Sequence, residues 1–190
     1  MSNKIKYNLK NAHYAPLTNV DGALSYATPV PIPGSVSISL AAQGEISKFY
    51  ADGITYYQAA ANNGYDGDLE VAMIPESFRT DILGETLDAK KVLIENADAK
   101  QTPFALLFEF DGDEKAIRHV LYNCAATRPS IESQTKEESV DPVAETIAIS
   151  AVPDGSGNIK GKTGDETDEA TYKDWYKAVY IATEEEGEEG

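Results

Sequence analysis

The sequence predicts a mainly β protein, a β-sandwich or barrel-like fold with one short flanking helix and long loops or arms. Three observations support this class. Apolar and polar residues alternate strictly over residues 35–40, as in a half-buried strand. An Asp111-Gly112 step lies between two long apolar runs, which is a strong hairpin signal. Helical signals are scarce, although hydrophobic residues make up 42% of the 190 residues, enough for a core.

Seven β-prone runs follow one another along the chain. In the first, Val36, Ile38 and Leu40 share one face, because successive strand residues point to opposite sides. The turn residues 62–64 close the second, and residues 111–114 join the fifth to the sixth as a hairpin. The seven runs span residues 35–40, 54–59, 69–73, 91–95, 103–110, 115–124 and 143–152.

One short helix is expected after the third strand. Pro75 suits the first helical position, Glu76 suits the first turn and Gly84 suits the exit, so the helix should span residues 75–83. The side chains expected to face inward are Phe78, Ile82 and Leu83.

A second helix is favoured for residues 167–178, where four large side chains recur at helical spacing. Their aromatic and β-branched character also permits a strand. The four residues are Tyr172, Trp175, Tyr176 and Val179.

Several segments should be irregular. The prolines of the run 29–33 favour extended backbone, and an N-terminal arm precedes them. Residues 127–141 form a long polar loop, and residues 153–169 are rich in Gly, Asp and Thr. We assign residues 1–181 to a single domain and residues 182–190 to an acidic disordered tail.

The chain is strongly acidic, with 32 Asp and Glu against 16 Lys and Arg and a net charge of −16. Half of this charge lies in residues 165–190. Because affinity for nucleic acids comes largely from Lys and Arg, tight binding of DNA or RNA is excluded. Solubility is the simplest explanation of the acidity.

Composition also bears on the compartment. A single cysteine cannot form an internal disulfide. The N-terminal residues contain no apolar stretch of signal-peptide length, and no apolar window is long enough to span a membrane. The chain is therefore expected to fold in a reducing cytoplasm, with no membrane partner.

No catalytic, cofactor-binding or metal-binding residue is assigned, and the chain is not expected to be an enzyme. The run 161–163, Gly-Lys-Thr, lacks the first glycine of a phosphate-binding loop, because position 156 is serine, and we interpret it as a polar loop. His119 and Cys124 differ by five positions, so they should face apart on a strand unless a bulge intervenes.

Two Asp-Gly-Asp steps do not fit calcium loops. Counting from Asp111, positions 5 and 6 are Lys115 and Ala116, instead of an oxygen ligand and glycine. We interpret residues 66–68 and 111–113 as turns. Two histidines and one cysteine are too few for a structural zinc site.

Several blocks of sequence are similar to a known family. Residues 63–84, NGYDGDLEVAMIPESFRTDILG, resemble the central block of major tail proteins from long-tailed, non-contractile bacteriophages and from prophages of Gram-positive bacteria. FALLFEFDGD at 104–113 and RHVLYNCAATRP at 118–129 resemble the hairpin that follows in that family. NAHYA, PVPIPG and KTGD also fit, so the resemblance covers nearly the whole chain except the acidic tail.

The resemblance implies a tail-tube fold, a β-sandwich flanked by a short helix, and a structural role in the virion. Subunits of that family form hexameric rings that stack into the phage tail tube, assembled in the host cytoplasm. DNA passes through the tube without specific binding, and a negative lumen would let it slide. The implied partners are further copies of the chain, a tape measure protein in the lumen, and tail terminator and tail-tip proteins.

On this interpretation, residues 127–141 and the arm before Pro29 contact neighbouring subunits or rings. Two other function classes remain open. A receptor- or carbohydrate-binding β-sandwich would need an exposed aromatic cluster, which the 11 tyrosines permit. An enzyme would need a pair of carboxylates brought together, and no pair among the 32 acids stands out.

Overall fold

The computed structural model describes residues 2–20, 23–135 and 142–183. Most of these residues lie in strands or in the connections between them. In chain order the elements are β1 (Lys6–Val20), β2 (Ala23–Tyr26), β3 (Val30–Pro31), β4 (Ser35–Gln43), β5 (Ile46–Ala51), β6 (Ile54–Ala60), β7 (Gly64–Val71), α1 (Glu76–Asp81), β8 (Thr86–Leu87), β9 (Leu93–Ile94), β10 (Phe104–Gly112), β11 (Ile117–Ala126), β12 (Glu145–Val152), β13 (Lys160–Lys162) and α2 (Glu169–Asp174).

One antiparallel sheet dominates the fold, with strands in the order β2-β1-β10-β11-β12-β7-β4. β3 pairs with β1, and β13 pairs with β11. β1 also contacts β4, so the two sides of the sheet approach each other and the sheet curls towards a barrel. The predicted mainly β class is confirmed.

The main core fills the inside of this barrel, and α1 closes one end of it. The Phe78 ring meets Tyr14 edge-on at 5.1 Å and Phe104 at 5.6 Å. All three side chains predicted to face inward from this helix are buried. Pro75 is the extended residue just before the helix rather than its first residue, and Gly84 takes up the positive φ of 78° needed at the exit.

A smaller core lies on the outer face of β1, β10 and β11, where the C-terminal segment covers it. α2 starts where the Asp168 side chain accepts the N–H of Thr171 at 2.9 Å, and it ends earlier than predicted. Beyond it, Trp175 and Val179 are buried against Leu107 and its neighbours. The predicted apolar stripe therefore packs as expected, although only Tyr172 of its four residues lies in the helix.

The predicted N-terminal arm is wrong over most of its length, because β1 is the longest strand of the sheet and pairs with β10. Ala12, Tyr14 and Ala15 of this strand are buried. Asn8 and Asn11 adopt positive φ, and the register with β10 shifts beside each of them. These irregularities break the alternation that would have identified the strand.

Both Asp-Gly-Asp steps begin in strands, so their interpretation as turns is wrong. Residues 66–68 lie in the middle of β7, where a Cβ on Gly67 would approach the carbonyl oxygen of Ser39 to 1.8 Å. Residues 111 and 112 end β10 and pair with β1. The predicted hairpin of β10 and β11 is confirmed, with its turn at residues 113–116.

The long polar loop has no helix or strand over residues 127–135, and residues 136–141 lie outside the described residues. Arg128 pairs with Glu95 across this loop at 2.5 Å. Residues 184–190 of the acidic tail also lie outside the described residues. The contacts and the disorder expected for these two segments stay predictions.

Candidate interaction surface

β5 and β6 form a hairpin that stands apart from the main sheet, since within the described part of the chain each pairs only with the other. It continues the β4–β7 pair: the N–H of Asn63 donates to Gln43 and that of Ala61 donates to Glu45, both at 2.9 Å. We call residues 46–60 the apolar hairpin. At 3.3 Å per residue, Asp52 at its tip lies about 30 Å along the ribbon from Gln43.

The tip is a two-residue turn. Asp52 and Gly53 have φ values of 53° and 77°, as a type I′ turn requires, and Ala51 pairs with Ile54 across it. This Asp-Gly step is the sequence signal for the hairpin, and only the second of its strands was predicted.

The side chains of the apolar hairpin are largely uncovered. No residue in it is buried, and six large apolar side chains are 59% to 71% exposed. An isolated two-stranded hairpin is only marginally stable in water, and apolar patches of this kind are typical of interfaces. The six residues are Ile46, Phe49, Tyr50, Ile54, Tyr56 and Tyr57.

The apolar hairpin leaves the barrel beside an opening. At the end of the barrel opposite α1 there is a cavity of about 260 Å³. Tyr65 and Leu40, on the β4–β7 pair that continues into the hairpin, line one side of it. We call this cavity the barrel mouth, with an apolar floor of Ile38, Leu40, Phe108 and Phe110 and a cationic rim of Lys6 and Lys160.

The rim lysines have aromatic neighbours rather than acidic ones. The ammonium of Lys160 donates to the hydroxyl of Tyr65 at 2.5 Å, and that of Lys6 lies 5.2 Å from the ring centre of Phe110. Within the described residues, neither lysine forms an ion pair with a carboxylate. The rim is therefore a positive site with no negative partner among the residues that the structure describes.

Lys160 reaches the mouth on β13, so the interpretation of the Gly-Lys-Thr run as a polar loop is wrong. β13 pairs with β11, placing Lys162 opposite His119. Thr163 then forms two hydrogen bonds with the backbone of Arg118. The N–H of Thr163 donates to the Arg118 carbonyl at 2.9 Å, and the Thr163 hydroxyl oxygen accepts the Arg118 N–H at 3.0 Å. These contacts hold the run in the sheet, which leaves no free loop to cradle a phosphate.

His119 points into the barrel and stacks on Phe108, with ring centres 5.1 Å apart. Burial, together with the charges of Lys162, Lys6 and Lys160, lowers the pKa of His119 to about 4. The imidazole is therefore neutral at pH 7 and adds no charge to the mouth.

A bulge does bring His119 and Cys124 onto the same face of β11. The register moves from Phe104 opposite Cys124 to Leu106 opposite Leu121, which adds one residue on the β11 side. The two side chains still lie roughly 15 Å apart along the strand. Burial raises the pKa of the fully buried Cys124 thiol to about 12, so the thiolate needed for nucleophilic chemistry does not form.

On the outer face, Glu109 is a buried carboxylate that fastens the C-terminal segment. It accepts hydrogen bonds from Asn11 at 2.6 Å, from Nε of Arg118 at 3.0 Å and from the hydroxyl of Tyr176 at 3.2 Å. The Arg118 guanidinium also lies over the Tyr172 ring at 3.9 Å. Burial and the Glu109 carboxylate raise the pKa of the Tyr176 phenol, so this group stays protonated and the cluster is structural.

Among the residues that the structure describes, no group of three His, Cys, Asp or Glu side chains is placed to hold a metal ion. Neither of the two helices in this part of the chain has the length and apolar character needed to cross a membrane. No protein-family model matches the chain, and a search of the curated proteins finds no match.

Proposed function

We propose that the chain is a structural subunit that polymerises as stacked hexameric rings into a phage tail tube, a negatively charged conduit for DNA ejection. The observation that carries the proposal is the apolar hairpin, whose side chains have no cover within the described residues. A strand ribbon of this kind is stabilised when further copies cover it. The sequence resemblance given above supports the same role.

The free energy available from covering the apolar hairpin is consistent with assembly. Fully burying a large apolar side chain contributes about 1.5 to 3 kcal/mol. The six exposed side chains of the apolar hairpin would together contribute on the order of 5 to 10 kcal/mol per copy, because each is already partly covered. Part of this gain offsets the entropy lost on association.

The outer face of β7 fits the lumen of such a tube. Asp66, Asp68 and Glu70 alternate on the face opposite the buried Leu69 and Val71. Like charge along this face would keep the phosphates of passing DNA from sticking. The cross-strand neighbours of these acids on β4 and β12 are all small: Ser37, Ser39, Ala41, Thr146, Ala148 and Ser150.

A receptor- or carbohydrate-binding module is the second candidate, because four of the exposed hairpin residues are aromatic. Binding sites for small ligands are usually held on a rigid support. The apolar hairpin has no such backing, and Ile46 and Ile54 add aliphatic surface that suits a protein partner better than a sugar. Self-assembly is therefore the better account.

Electron microscopy of the purified chain, concentrated at moderate salt to screen its charge, tests the proposal. We expect hollow filaments with six-fold rings in end-on views. The double variant Phe49→Ser with Tyr57→Ser should remain folded and lose the filaments, because the two residues form an exposed cross-strand pair. Val92→Ser, which removes an exposed apolar side chain elsewhere, is the matched control.

One result would contradict the tube proposal. A chain that stays monomeric at every concentration, and that is retained on purified bacterial cell walls, would overturn the tube proposal in favour of the binding module.

A further inference from the structure

We propose that the tip of the apolar hairpin of one copy docks into the barrel mouth of a second copy. This inference rests on the proposed function, since it names a contact through which copies would join. It concerns residues 50–54 on one side and the rim and floor of the mouth on the other.

The tip of the hairpin and the barrel mouth carry opposite charges. The tip carries one acid, Asp52, whose side chain makes no hydrogen bond or ion pair within the described residues. The mouth carries Lys6 and Lys160, which also have no acidic partner within the described residues, and Lys162 pairs with His119, which lines the mouth. In a chain with twice as many acids as bases, two lysines on the rim of one opening form a positive site. The tip acid complements it.

The size and polarity of the barrel mouth suit the side chains at the tip. The cavity of about 260 Å³ is smaller than the roughly 300 to 1,000 Å³ of ordinary small-molecule sites, and its floor is apolar. Such a cavity suits one or two side chains. At the tip, Tyr50 and Ile54 flank Asp52 and are 62% and 63% exposed. An apolar side chain beside a carboxylate matches an apolar floor beside a cationic rim.

The occupant must come from another copy. Leu40 and Tyr65, which line the mouth, lie on the β4–β7 pair that the hairpin continues, and the hairpin carries its own tip about 30 Å beyond Gln43 along the ribbon. Tip and mouth are different surfaces, so their contact is heterologous. Heterologous contacts repeat from copy to copy and build rings or filaments.

Cross-linking between copies tests the contact directly. Ile54→Cys in one preparation and Ile5→Cys, beside Lys6 at the rim, in another are mixed under assembly conditions and treated with a short bis-maleimide. The native thiol does not compete, because Cys124 is fully buried. We expect a cross-linked dimer from the mixture and none from either variant alone. Ile54→Cys mixed with Glu169→Cys, on the exposed surface of α2, is the control and should give no dimer.

A charge exchange tests the pairing. Asp52→Lys, and separately Lys6→Glu with Lys160→Glu, should each raise the concentration needed for assembly by about ten-fold or more. Mixing the two should restore assembly, because each tip then meets a mouth of opposite charge. Asp52→Asn keeps the type I′ turn and shows that any loss comes from charge rather than from the turn.

The outcomes separate the two proposals. Filaments that form without the cross-link, or charge variants that mixing does not restore, would overturn this contact and leave the tube proposal standing. An anionic amphiphile found in the mouth by native mass spectrometry would also overturn it. An unmodified chain that stays monomeric at every concentration and is retained on purified bacterial cell walls would overturn both.

Discussion

Nε of Arg118 lies 3.0 Å from the buried carboxylate of Glu109, and the Tyr176 hydroxyl donates to the same oxygen at 3.2 Å. This pair ties β10 and β11 to the segment that follows α2. Trp175, the only tryptophan of the chain, is buried beside Tyr176. The attachment of the C-terminal segment therefore depends on this charge pair, and the fluorescence of the neighbouring Trp175 can report on it.

Replacing Glu109 with Gln should lower the free energy of unfolding by about 3 kcal/mol, because it leaves the largely buried Arg118 charge without a counter-charge. Urea unfolding followed by Trp175 fluorescence measures the change. Glu169→Gln is the control: Glu169 pairs with Lys173 on the open surface, and its loss should cost less than about 0.5 kcal/mol. Equal stability of the two variants would refute the structural role of Glu109.

Stability should fall as the pH drops from about 6.5 towards 4. Burial, with the nearby lysines, lowers the pKa of His119 to about 4, whereas an exposed imidazole titrates near 6.5. Between these values the unfolded chain binds a proton that the folded chain does not, so stability is full above 6.5 and is lost as the pH falls. The difference corresponds to at most about 3 kcal/mol. Urea unfolding of dilute protein at a series of pH values measures it.

The variant His119→Phe should flatten this pH dependence, because phenylalanine can stack on Phe108 without titrating. His13→Gln, which removes the other histidine, is the matched control. The carboxylates of Asp111, Asp113 and Asp168 have pKa values below the ordinary 3.8, owing to their hydrogen bonds, and so act below this window. An unchanged slope in His119→Phe would assign the effect to other groups.

The Cys124 thiol should react with a thiol reagent such as DTNB only when the protein unfolds. It is fully buried and its pKa is raised to about 12. The reaction rate at pH 8 should therefore rise with urea in parallel with the unfolded fraction, and the fully unfolded chain should react at once. Fast labelling of the native protein would show that the barrel interior is open at this position.

The sequence predicts well those elements whose structure follows from a regular spacing of apolar residues or from characteristic residues at their ends. Alternation identifies β4, and the residues around Pro75 and Gly84 identify α1, because each pattern reports contacts made by one element with its own core. β1 was missed since two asparagines with positive φ interrupt its pairing with β10.

The candidate interface depends on information that no local pattern holds. Phe49 and Tyr57 look like residues of an ordinary strand, and only the sheet topology shows that nothing in the described chain covers them. The barrel mouth likewise joins Lys6 and Lys160 from strands far apart in sequence, which meet because both β1 and β13 border the same opening.

Amide hydrogen exchange should divide the chain between barrel and apolar hairpin. In dilute protein, β10 and β11 should exchange slowly, because they pair on both sides and bury most of their residues. Residues 46–60 should exchange fast, since β5 and β6 pair only with each other in the described chain and both faces are open.

On assembly the amide exchange of residues 46–60 should slow by about ten-fold or more, whereas the exchange of the turn at residues 154–157 should stay unchanged. Mass spectrometry of peptic peptides measures both segments in one experiment. Full protection of residues 46–60 in the dilute monomer would mean that the hairpin already has its cover, and would remove the physical reason for assembly.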